Sequence, residues 1–436
     1  MTGRRPTRST FPTAPPARTG RTRTGVRAAA ALFACAALTA GCGVVPGLAG
    51  DDEAQITVMT WAPQETSATN KPGMPAFAQA YARWINAEGG LGGRKLRVLT
   101  CNDHNDSVGA AKCARRAVKE HAVAVVGSYS QYANSFFPIL ESAGIPYVGG
   151  YGTTTAEFTS PLSYPVNGGQ PALLAGLGNE LAKICDTTSL VRPDTIAGDE
   201  LPVLLNAGLN AGDRDDASDV RAPEDATEYA GKSAQALEAA TADPTDDGCV
   251  VPALGDRTST FMDSFRRVRE DYPDVRTGTV LGSVDQTVID ASGGRSGPYE
   301  GSYVTGWYPV ATDPHWAPMK KVISEQAFTD TRIDAGDTGV QTTWIAYTVL
   351  KAVLDRIGGG EVTADSVRRT LDSGMNINTG GLTPTLRWQF SDKLASVGFP
   401  RLVNADVTLQ QVKKGQLVAA RKGFVDVTKT LANADT

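Results

Sequence analysis

Two short segments carry the polar side chains with the clearest capacity to bind a small molecule. One reads SYSQ and the other YGTTT, and each follows a strongly apolar run. Hydroxyls and backbone amides in these segments could hold a carboxylate or an amide, and a tyrosine ring could stack on an apolar part. The alternative is that the serines and threonines only cap helices. The predicted contacts are Ser128, Tyr129, Ser130, Gln131, Tyr151, Gly152, Thr153 and Thr154.

A second set of polar side chains follows apolar runs elsewhere in the chain. Ligands of open α/β sheets bind beyond the carboxyl ends of strands, where loops and helix N-termini expose backbone N–H groups. For each charged residue of this set, a solvated loop position is the alternative. The predicted contacts are Trp61, Arg192, Asp256, Arg257, Asp285 and Gln286.

Motifs for enzymatic chemistry are missing from the sequence. There is no G-x-S-x-G elbow, and His104, His121 and His315 offer no evident nucleophile–base pair. Ala230–Ser233 reads AGKS but lacks the earlier glycine of a phosphate loop, and Gly149–Gly152 reads GGYG, which is not a dinucleotide fingerprint. We predict that the chain is not an enzyme, needs no cofactor and binds no metal. A hydrolase remains only a remote alternative.

Four cysteines in the body of the chain predict two disulfides. Four cysteines allow three connectivities, and an even set is typical of exported proteins. Strand and helix order favours Cys101–Cys113 and Cys185–Cys249, because helix ends and strand starts meet at one edge of a parallel sheet. A zinc site is the rival, but no C-x-x-C spacing occurs.

The N-terminus predicts export and a lipid anchor. Residues 1–27 hold seven arginines and no acid, and Ala28–Ala40 is an apolar run too short to span a bilayer. The run ends in LTAGC (Leu38–Cys42), which resembles the lipobox of bacterial lipoproteins. Cleavage before Cys42 and acylation of its thiol are therefore expected, and simple secretory cleavage is the alternative. The protein would be anchored to the outer face of the cytoplasmic membrane.

Charge and size restrict the remaining classes. Without the seven leader arginines the chain holds 35 basic and 47 acidic residues, a net charge of −12. An acidic body without a basic run argues against nucleic acid or an anionic membrane surface as a partner. About 390 mature residues are enough for two domains with their own cores.

Strands and helices alternate along the body, which predicts a doubly wound α/β fold. The rhythm restarts after Pro165, and Asn210–Asp225 is predicted to be a polar surface loop. The predicted strands are Ile56–Trp61, Lys95–Cys101, Ala122–Gly127, Pro146–Val148, Thr188–Arg192, Cys249–Leu254, Thr277–Gly282, Glu300–Pro309, Leu386–Phe390 and Val407–Val412. The predicted helices are Pro72–Glu88, 106–120, Tyr132–Ala143, Gln170–Cys185, Ala226–Ala242, Ser259–Asp271, Gly339–Gly360 and Ala364–Ser373. Asp106 is placed to cap the second of them.

Several of these segments together carry a family resemblance. INAEGGLGGRKLRVLTCNDHND, AAKCARRAVKE, AVAVVG and ESAGIPYVGG follow one another between about Ile56 and Tyr151, and GSYVTGWYP resumes the pattern later. This order resembles the type I periplasmic binding proteins of the leucine/isoleucine/valine-binding group. The resemblance is weaker between Pro165 and Gly293.

The resemblance implies two Rossmann-like lobes joined by three chain crossings, with a cleft that closes on its ligand. The crossings are expected near Pro165–Gly168, near Gly301–Tyr303 and after Phe390. The expected divisions are a signal peptide (1–41), a flexible tether (42–54), lobe I (55–167 plus 303–404) and lobe II (168–302 plus 405–436).

The function implied is capture of a small polar solute, an amino acid, amide or related compound, for a permease of the ABC importer class. In relatives that take amino acids an acidic residue of the second lobe meets the ammonium, and Asp256 or Asp285 could do so here. The alternative is a sensory lipoprotein that presents its ligand to a membrane receptor. A monomer is expected in either case.

Overall fold

A first parallel sheet is built from short, strongly apolar strands. The computed structural model describes residues 55–66, 69–195, 197–223, 225–394 and 398–434. The predicted signal peptide, the lipidated Cys42 and the tether lie outside these residues. The sheet has the order β2-β1-β3-β4-β5 and is wholly parallel within the described chain. Its elements are β1 (Gln55–Trp61), α1 (Gly73–Ala87), β2 (Lys95–Cys101), α2 (Ser107–Lys119), β3 (Val125–Val126), α3 (Ala133–Ala143), β4 (Tyr147–Val148), α4 (Ala156–Thr159) and β5 (Ser163–Tyr164).

A second sheet repeats the same winding. Its parallel part has the order β7-β6-β8-β9-β10. The elements are α5 (Gly169–Leu181), β6 (Thr187–Pro193), α6 (Leu201–Asn210), β7 (Ser218–Ala222), α7 (Ala230–Ala240), β8 (Gly248–Pro252), α8 (Thr258–Val268), β9 (Arg276–Val280), α9 (Gln286–Ala291) and β10 (Tyr303–Gly306).

The chain then returns to the first sheet and crosses back once more. The returning helices are α10 (Ala317–Gln326), α11 (Thr338–Ile357) and α12 (Ala364–Asp372). Helix α11 packs against α1, β3 and β4. The last elements are β11 (Asp406–Lys413), β12 (Gln416–Ala419), β13 (Val425–Asp426) and α13 (Thr428–Ala432). Strand β11 extends the second sheet antiparallel to β10 and pairs with β12 and β13.

Aspartates begin three of the helices. The side chains of Asp106, Asp285 and Asp337 accept hydrogen bonds from backbone N–H groups three residues later, at the starts of α2, α9 and α11. A carboxylate at this position satisfies an N–H that has no intrahelical partner and opposes the positive end of the helix dipole. The capping role predicted for Asp106 is thereby confirmed.

Two glycines let α11 approach the ends of β3 and β4. Gly127 has φ +58° and Gly149 has φ +64°, a conformation that other residues adopt rarely. A Cβ at Gly127 would lie 2.9 Å from the Cα of Thr343, and one at Gly149 would overlap Ala346. The N-terminal half of α11 therefore lies directly beneath the edge where the strands end.

Both predicted disulfides are confirmed. Cys101 at the end of β2 bonds Cys113 in α2, with Cα atoms 5.8 Å apart. Cys185 after α5 bonds Cys249 in β8, with Cα atoms 5.9 Å apart. One cross-link lies in each α/β unit, so neither ties the units to each other.

Three details of the prediction are corrected by the structure. The segment Asn210–Asp225, predicted to be a loop, contains the edge strand β7. Its charged residues interrupt the hydrophobic pattern by which a strand is predicted. Leu386–Phe390 is not a strand, because Leu386 makes one isolated bridge and Phe390 begins a short 3₁₀ turn. Strand β10 pairs with β9, so the second crossing follows Gly306 rather than lying at Gly301–Tyr303.

Among the described residues, no helix combines the length and apolarity that crossing a bilayer requires.

Replacing each cysteine pair by serine should destabilise the protein, and the loss should be larger for the disulfide that closes the longer loop. The Cys185–Cys249 pair spans 64 residues and the Cys101–Cys113 pair spans 12. We expect losses in the free energy of unfolding of about 4 and about 3 kcal/mol, because a longer loop restricts the unfolded chain more. Urea unfolding of both double-serine variants measures this. A larger loss for the Cys101–Cys113 pair would contradict the prediction.

Candidate functional site

The two sheets present their topological switch points to the same cleft. In the first sheet, β2 and β3 lie on opposite sides of β1, and in the second, β7 and β8 lie on opposite sides of β6. At such a point neighbouring loops diverge and leave a crevice beyond the strand ends. A cavity of about 330 Å³ lies between the two crevices. Its lining comprises Thr69, Tyr129, Gln131, Tyr132, Thr153, Thr154, Gln170, Pro193, Thr195, Gly198, Leu201, Ala253, Leu254, Gly255, Asp256 and Arg257.

A smaller aromatic chamber of about 80 Å³ opens from the same lining toward the chain crossings. The rings of Tyr129 and Tyr151 meet edge to face at 5.0 Å between centroids, and those of Tyr151 and Trp307 do so at 5.1 Å. The indole of Trp307 donates a hydrogen bond to the Gly169 carbonyl at 2.9 Å. The Tyr151 hydroxyl is buried and has no hydrogen-bond partner among the described residues. A buried hydroxyl without a partner is costly, so this group points to a molecule that supplies one.

A lysine ammonium lies between the units at this chamber. The Lys71 nitrogen is 3.5 Å from an Asp256 oxygen and 5.8 Å from the centroid of the Tyr151 ring. Burial by itself disfavours the charged form of Lys71. The Tyr151 hydroxyl and three carboxylates outweigh burial, so the pKa of Lys71 lies well above its usual value. Those carboxylates belong to Asp256, Asp337 and Asp285.

Asp285 is the most confined of these carboxylates. It caps α9 and is 7% exposed. Burial, reinforced by the charge of Asp337, raises its pKa to about 6, although Lys71 acts in the opposite direction. Asp285 therefore does not line the cavity or the chamber, but its carboxylate contributes to the electrostatic potential there.

The turn at Gly152–Thr154 holds an internal carboxylate. Glu157 is 2% exposed and accepts hydrogen bonds from the backbone N–H groups of Gly152 (3.0 Å), Thr153 (3.0 Å) and Thr154 (3.2 Å). The hydroxyls of Thr154 and Thr153 approach it at 3.2 and 3.5 Å. Burial raises the pKa of Glu157, and these donors partly oppose the rise. The Thr153 and Thr154 donors, which were predicted to hold a ligand carboxylate or amide, are occupied here by Glu157.

Of the residues predicted in the first unit, several line the cleft and three do not. Those that line the cavity or the chamber are Tyr129, Gln131, Tyr151, Gly152, Thr153 and Thr154. Trp61 is fully buried and packs edge to face on Phe136. The hydroxyl of Ser128 accepts a hydrogen bond from the Trp61 amide, and that of Ser130 accepts one from the Tyr132 amide. Both serines thus bond to the protein's own backbone, but neither caps a helix, because α3 begins after Tyr132 without a side-chain cap.

The residues predicted in the second unit divide in the same way. Asp256 and Arg257 line the cavity. Arg192 is buried and makes a bidentate ion pair with Asp219 of β7 and a further ion pair with Asp199. Its interactions therefore attach the edge strand β7 to the sheet. Gln286 accepts a hydrogen bond from the Leu417 amide and donates one to the Gly415 carbonyl. It joins α9 to β12 and lies outside the lining of the cavity and the chamber.

Several residues that line the cleft were not predicted from the sequence. Thr69 and Lys71 belong to the long loop between β1 and α1, and Gln170 lies in the first turn of α5. Trp307 directly follows β10, where the chain crosses between units. The loop after β1 follows the same strand-end rule as SYSQ, so its residues could have been named. Nothing local marks Trp307 as part of the cleft.

Metal-dependent chemistry has no evident ligand set here. Among the described residues, no group of three or more His, Cys, Asp or Glu side chains is arranged to hold a metal ion.

Two doubly wound units with facing switch points and a cleft between them define a two-lobed binding protein. The chain belongs to the periplasmic binding protein family, whose model matches residues 64–416. This membership confirms the resemblance and the two-lobed fold. It also confirms that the chain is not an enzyme, because the family and its solved members are solute-binding proteins. Membership implies an exported protein. No curated protein matches the chain.

Solved structures share this fold at low sequence identity. A substrate-binding periplasmic protein from Ralstonia solanacearum has a TM-score of 0.68 at 17% identity, covering 84% of this chain and 99% of that one. A leucine-binding protein from Thermotoga maritima has a TM-score of 0.65 at 14% identity, covering 85% and 99%. An ABC-transporter solute-binding protein from Rhodopseudomonas palustris, solved with 3,4-dihydroxybenzoic acid, has a TM-score of 0.64 at 15% identity, covering 85% and 97%.

Replacing Asp285 by Asn should stabilise the protein at neutral pH relative to acidic pH. A carboxyl with a raised pKa favours folding below its unfolded value near 4, and this contribution is lost as the pH rises through about 6. The unfolding free energy of the wild type minus that of Asp285→Asn should therefore fall by up to about 3 kcal/mol between pH 4 and pH 7.5. Asparagine keeps the helix cap.

Urea unfolding at both pH values measures this difference. Asp106→Asn is the matched control, because it changes an exposed helix cap outside the Lys71 cluster. It should not show the same fall. A constant difference for Asp285→Asn would contradict the prediction.

Proposed function

We propose that this protein is an extracytoplasmic solute-binding lipoprotein that captures a small polar solute between its lobes and delivers it to an ABC importer. The solute would be an amino acid, an amide or a related compound. The observation that carries the proposal is the cleft at the facing switch points, with the unpartnered Tyr151 hydroxyl in its chamber. Small-molecule sites are concave, largely apolar and equipped with a few polar groups.

The size and lining of the cleft support capture of a small molecule. The cavity and chamber share Thr69, Tyr129, Gln131 and Thr153, so one ligand could reach both. Aromatic rings supply contact area with few rotatable bonds, and side-chain amides and hydroxyls supply direction. The solved relative that holds 3,4-dihydroxybenzoic acid is an example of the same fold with a small molecule bound.

Contacts across the cleft support a closing motion. Lys71 of the first unit reaches Asp256 of the second, and the Thr155 hydroxyl donates to Glu200 at 2.9 Å. In both pairs the carboxylate, Asp256 or Glu200, is exposed to solvent, where ion pairs and hydrogen bonds contribute little individually. Such contacts are weak enough to break when a lobe rotates. Hinge closure around a ligand is the motion proposed for this fold.

The lipid anchor is supported by the sequence around Cys42. The tether of residues 42–54 would hold the binding unit within about 20 Å of the membrane surface, close to a permease. The sensory alternative would share the anchor and the cleft. Import is preferred because the relative from Rhodopseudomonas palustris belongs to an ABC transporter.

Replacing Gln131 by Ala should weaken solute binding without changing stability. Gln131 is exposed, lines both cavity and chamber, and makes only long hydrogen bonds to Tyr129 (3.2 Å) and Thr69 (3.4 Å). Loss of one ligand hydrogen bond should lower affinity about five- to tenfold. Calorimetric titration with the first compound found in a thermal-shift screen measures this.

The matched control for that titration is Gln79→Ala, at an exposed position of α1 outside the cleft lining. It should leave affinity unchanged. Equal affinity of the wild type and Gln131→Ala would argue that the solute binds elsewhere.

Replacing Cys42 by Ser should release the protein from the membrane. The thiol is the only group of the LTAGC motif that can carry the lipid, so serine prevents acylation. Fractionation of producing cells should find the wild type with the membrane and Cys42→Ser in the soluble exported fraction. Cys35→Ser, within the leader, is the control and should stay with the membrane. Retention of Cys42→Ser would contradict the lipoprotein proposal.

A further inference from the structure

The position in the cleft best equipped to bind a carboxylate is filled by the chain itself. Three consecutive backbone N–H groups and two hydroxyls converge on Glu157, from Gly152, Thr153 and Thr154. Successive N–H groups of this kind form a concave anion-binding site. Thr153 and Gly152 also line the chamber, so the donor set lies directly behind its wall.

The surrounding packing is built for this internal carboxylate. Any side chain at Gly150 would overlap a Glu157 oxygen and the ring of Tyr147. The backbone of Glu157 is anchored as well, because its carbonyl accepts a hydrogen bond from the Ser163 hydroxyl. A ligand carboxylate at this turn would find the donors occupied and a buried acid beside it. Two carboxylates confined to one site repel each other, so such a ligand is disfavoured.

The charges around the cleft favour a cation instead. Among the described residues, the basic side chains that line the cavity and the chamber are Lys71 and Arg257, and Arg192 lies behind Pro193, where it is paired with Asp199 and Asp219. The acids at the same place are Glu157, Glu200, Asp256, Asp285 and Asp337. A cleft with an excess of one charge concentrates ligands of the opposite sign.

The aromatic chamber gives this preference a specific location. Its rings, from Tyr129, Tyr151 and Trp307, present π-faces and edges around a small space. The Lys71 ammonium holds this place, 5.8 Å from the Tyr151 ring centroid and 3.5 Å from Asp256, so a ligand ammonium would have to displace it. Asp256 has acceptor capacity left, since its contacts with Lys71 and the Asn70 amide are long, at 3.5 and 3.3 Å.

We infer that the solute is an organic cation, an amine without a carboxylate, whose ammonium lies between the Asp256 carboxylate and the aromatic rings of the chamber. The buried Tyr151 hydroxyl, which has no internal partner, provides a further hydrogen bond to it. This inference rests on the proposed capture of a solute in the cleft. Among the amino acids, amides and related compounds considered above, it excludes those whose carboxylate would have to bind at the Gly152–Thr154 turn.

The test compares cationic and carboxylate probes on the full chain. Choline, putrescine and agmatine are the cations, and benzoate, acetate and leucine carry carboxylates. At least one cation should raise the melting temperature of the wild type and bind about tenfold or more tightly than any carboxylate probe in calorimetry. Gln131→Ala should weaken that binding, which locates it in the cleft.

Substitutions of Glu157 test the second half of the inference. Glu157→Ala exposes the donor set, so millimolar acetate should restore part of its lost thermal stability, and benzoate affinity should rise about tenfold over the wild type. If Glu157→Ala fails to fold, Glu157→Gln takes its place in the test. This variant keeps the side-chain volume and removes the charge, so it should bind the cation more weakly than the wild type. Glu141→Gln is the matched control, because this exposed carboxylate contacts Ser160 near the same helix but lies outside the cleft lining.

The outcomes separate the inference from the proposed function. Tight binding of a carboxylate probe by the wild type, with no cation bound, preserves capture and overturns the inference. Acetate that stabilises wild type and Glu157→Ala equally also overturns it, because the turn would then not be the anion position. If no probe of either class and no compound of the wider screen stabilises the wild type, capture itself fails and the inference falls with it.

Discussion

The cleft depends on one buried side chain that holds two chain crossings together. The amide of Asn167 donates to the Tyr308 hydroxyl at 2.8 Å, and its oxygen accepts from the Gly169 amide at 2.9 Å. Tyr308 in turn meets the Thr342 hydroxyl of α11 at 3.1 Å. Because buried polar groups are costly without partners, each of these groups restrains the others. The third crossing is joined to the first through Asn404, whose side-chain amide donates a hydrogen bond to the Val166 carbonyl.

The chemistry of the cleft follows from where these crossings place the strand ends. Trp307 follows β10 at a crossing and becomes the floor of the chamber, where its indole is bonded to Gly169. The facing switch points then bring Lys71 of one unit against Asp256 of the other. The result is a site with aromatic walls, an excess of acids and one resident ammonium. The aromatic walls and the acids favour a cationic ligand, whereas the turn that could bind a carboxylate is closed by Glu157.

The sequence predicted which residues follow the strands, but it did not predict which of their side chains face the cleft. Tyr129, Gln131 and Asp256 were predicted correctly to be at strand ends, and they line the cleft. Strand-end position alone did not distinguish them from Ser128, which bonds inward to Trp61, or from Arg192, which pairs with the edge strand. Whether a polar side chain faces the cleft depends on which partner lies within about 3 Å of it, and hydrophobic patterning carries no such information.

The amino-acid sequence by itself determined the alternating elements, the cap at Asp106 and the two disulfides, because these depend on local periodicity and on partners within one α/β unit. The tertiary structure alone decided what the Gly152–Thr154 turn binds and what faces it. Glu157 lies only a few residues away, but only its burial in the fold shows that its carboxylate is held on the turn's donors. Lys71 and Asp256 are 185 positions apart, and only the packing of two separate sheets brings them together.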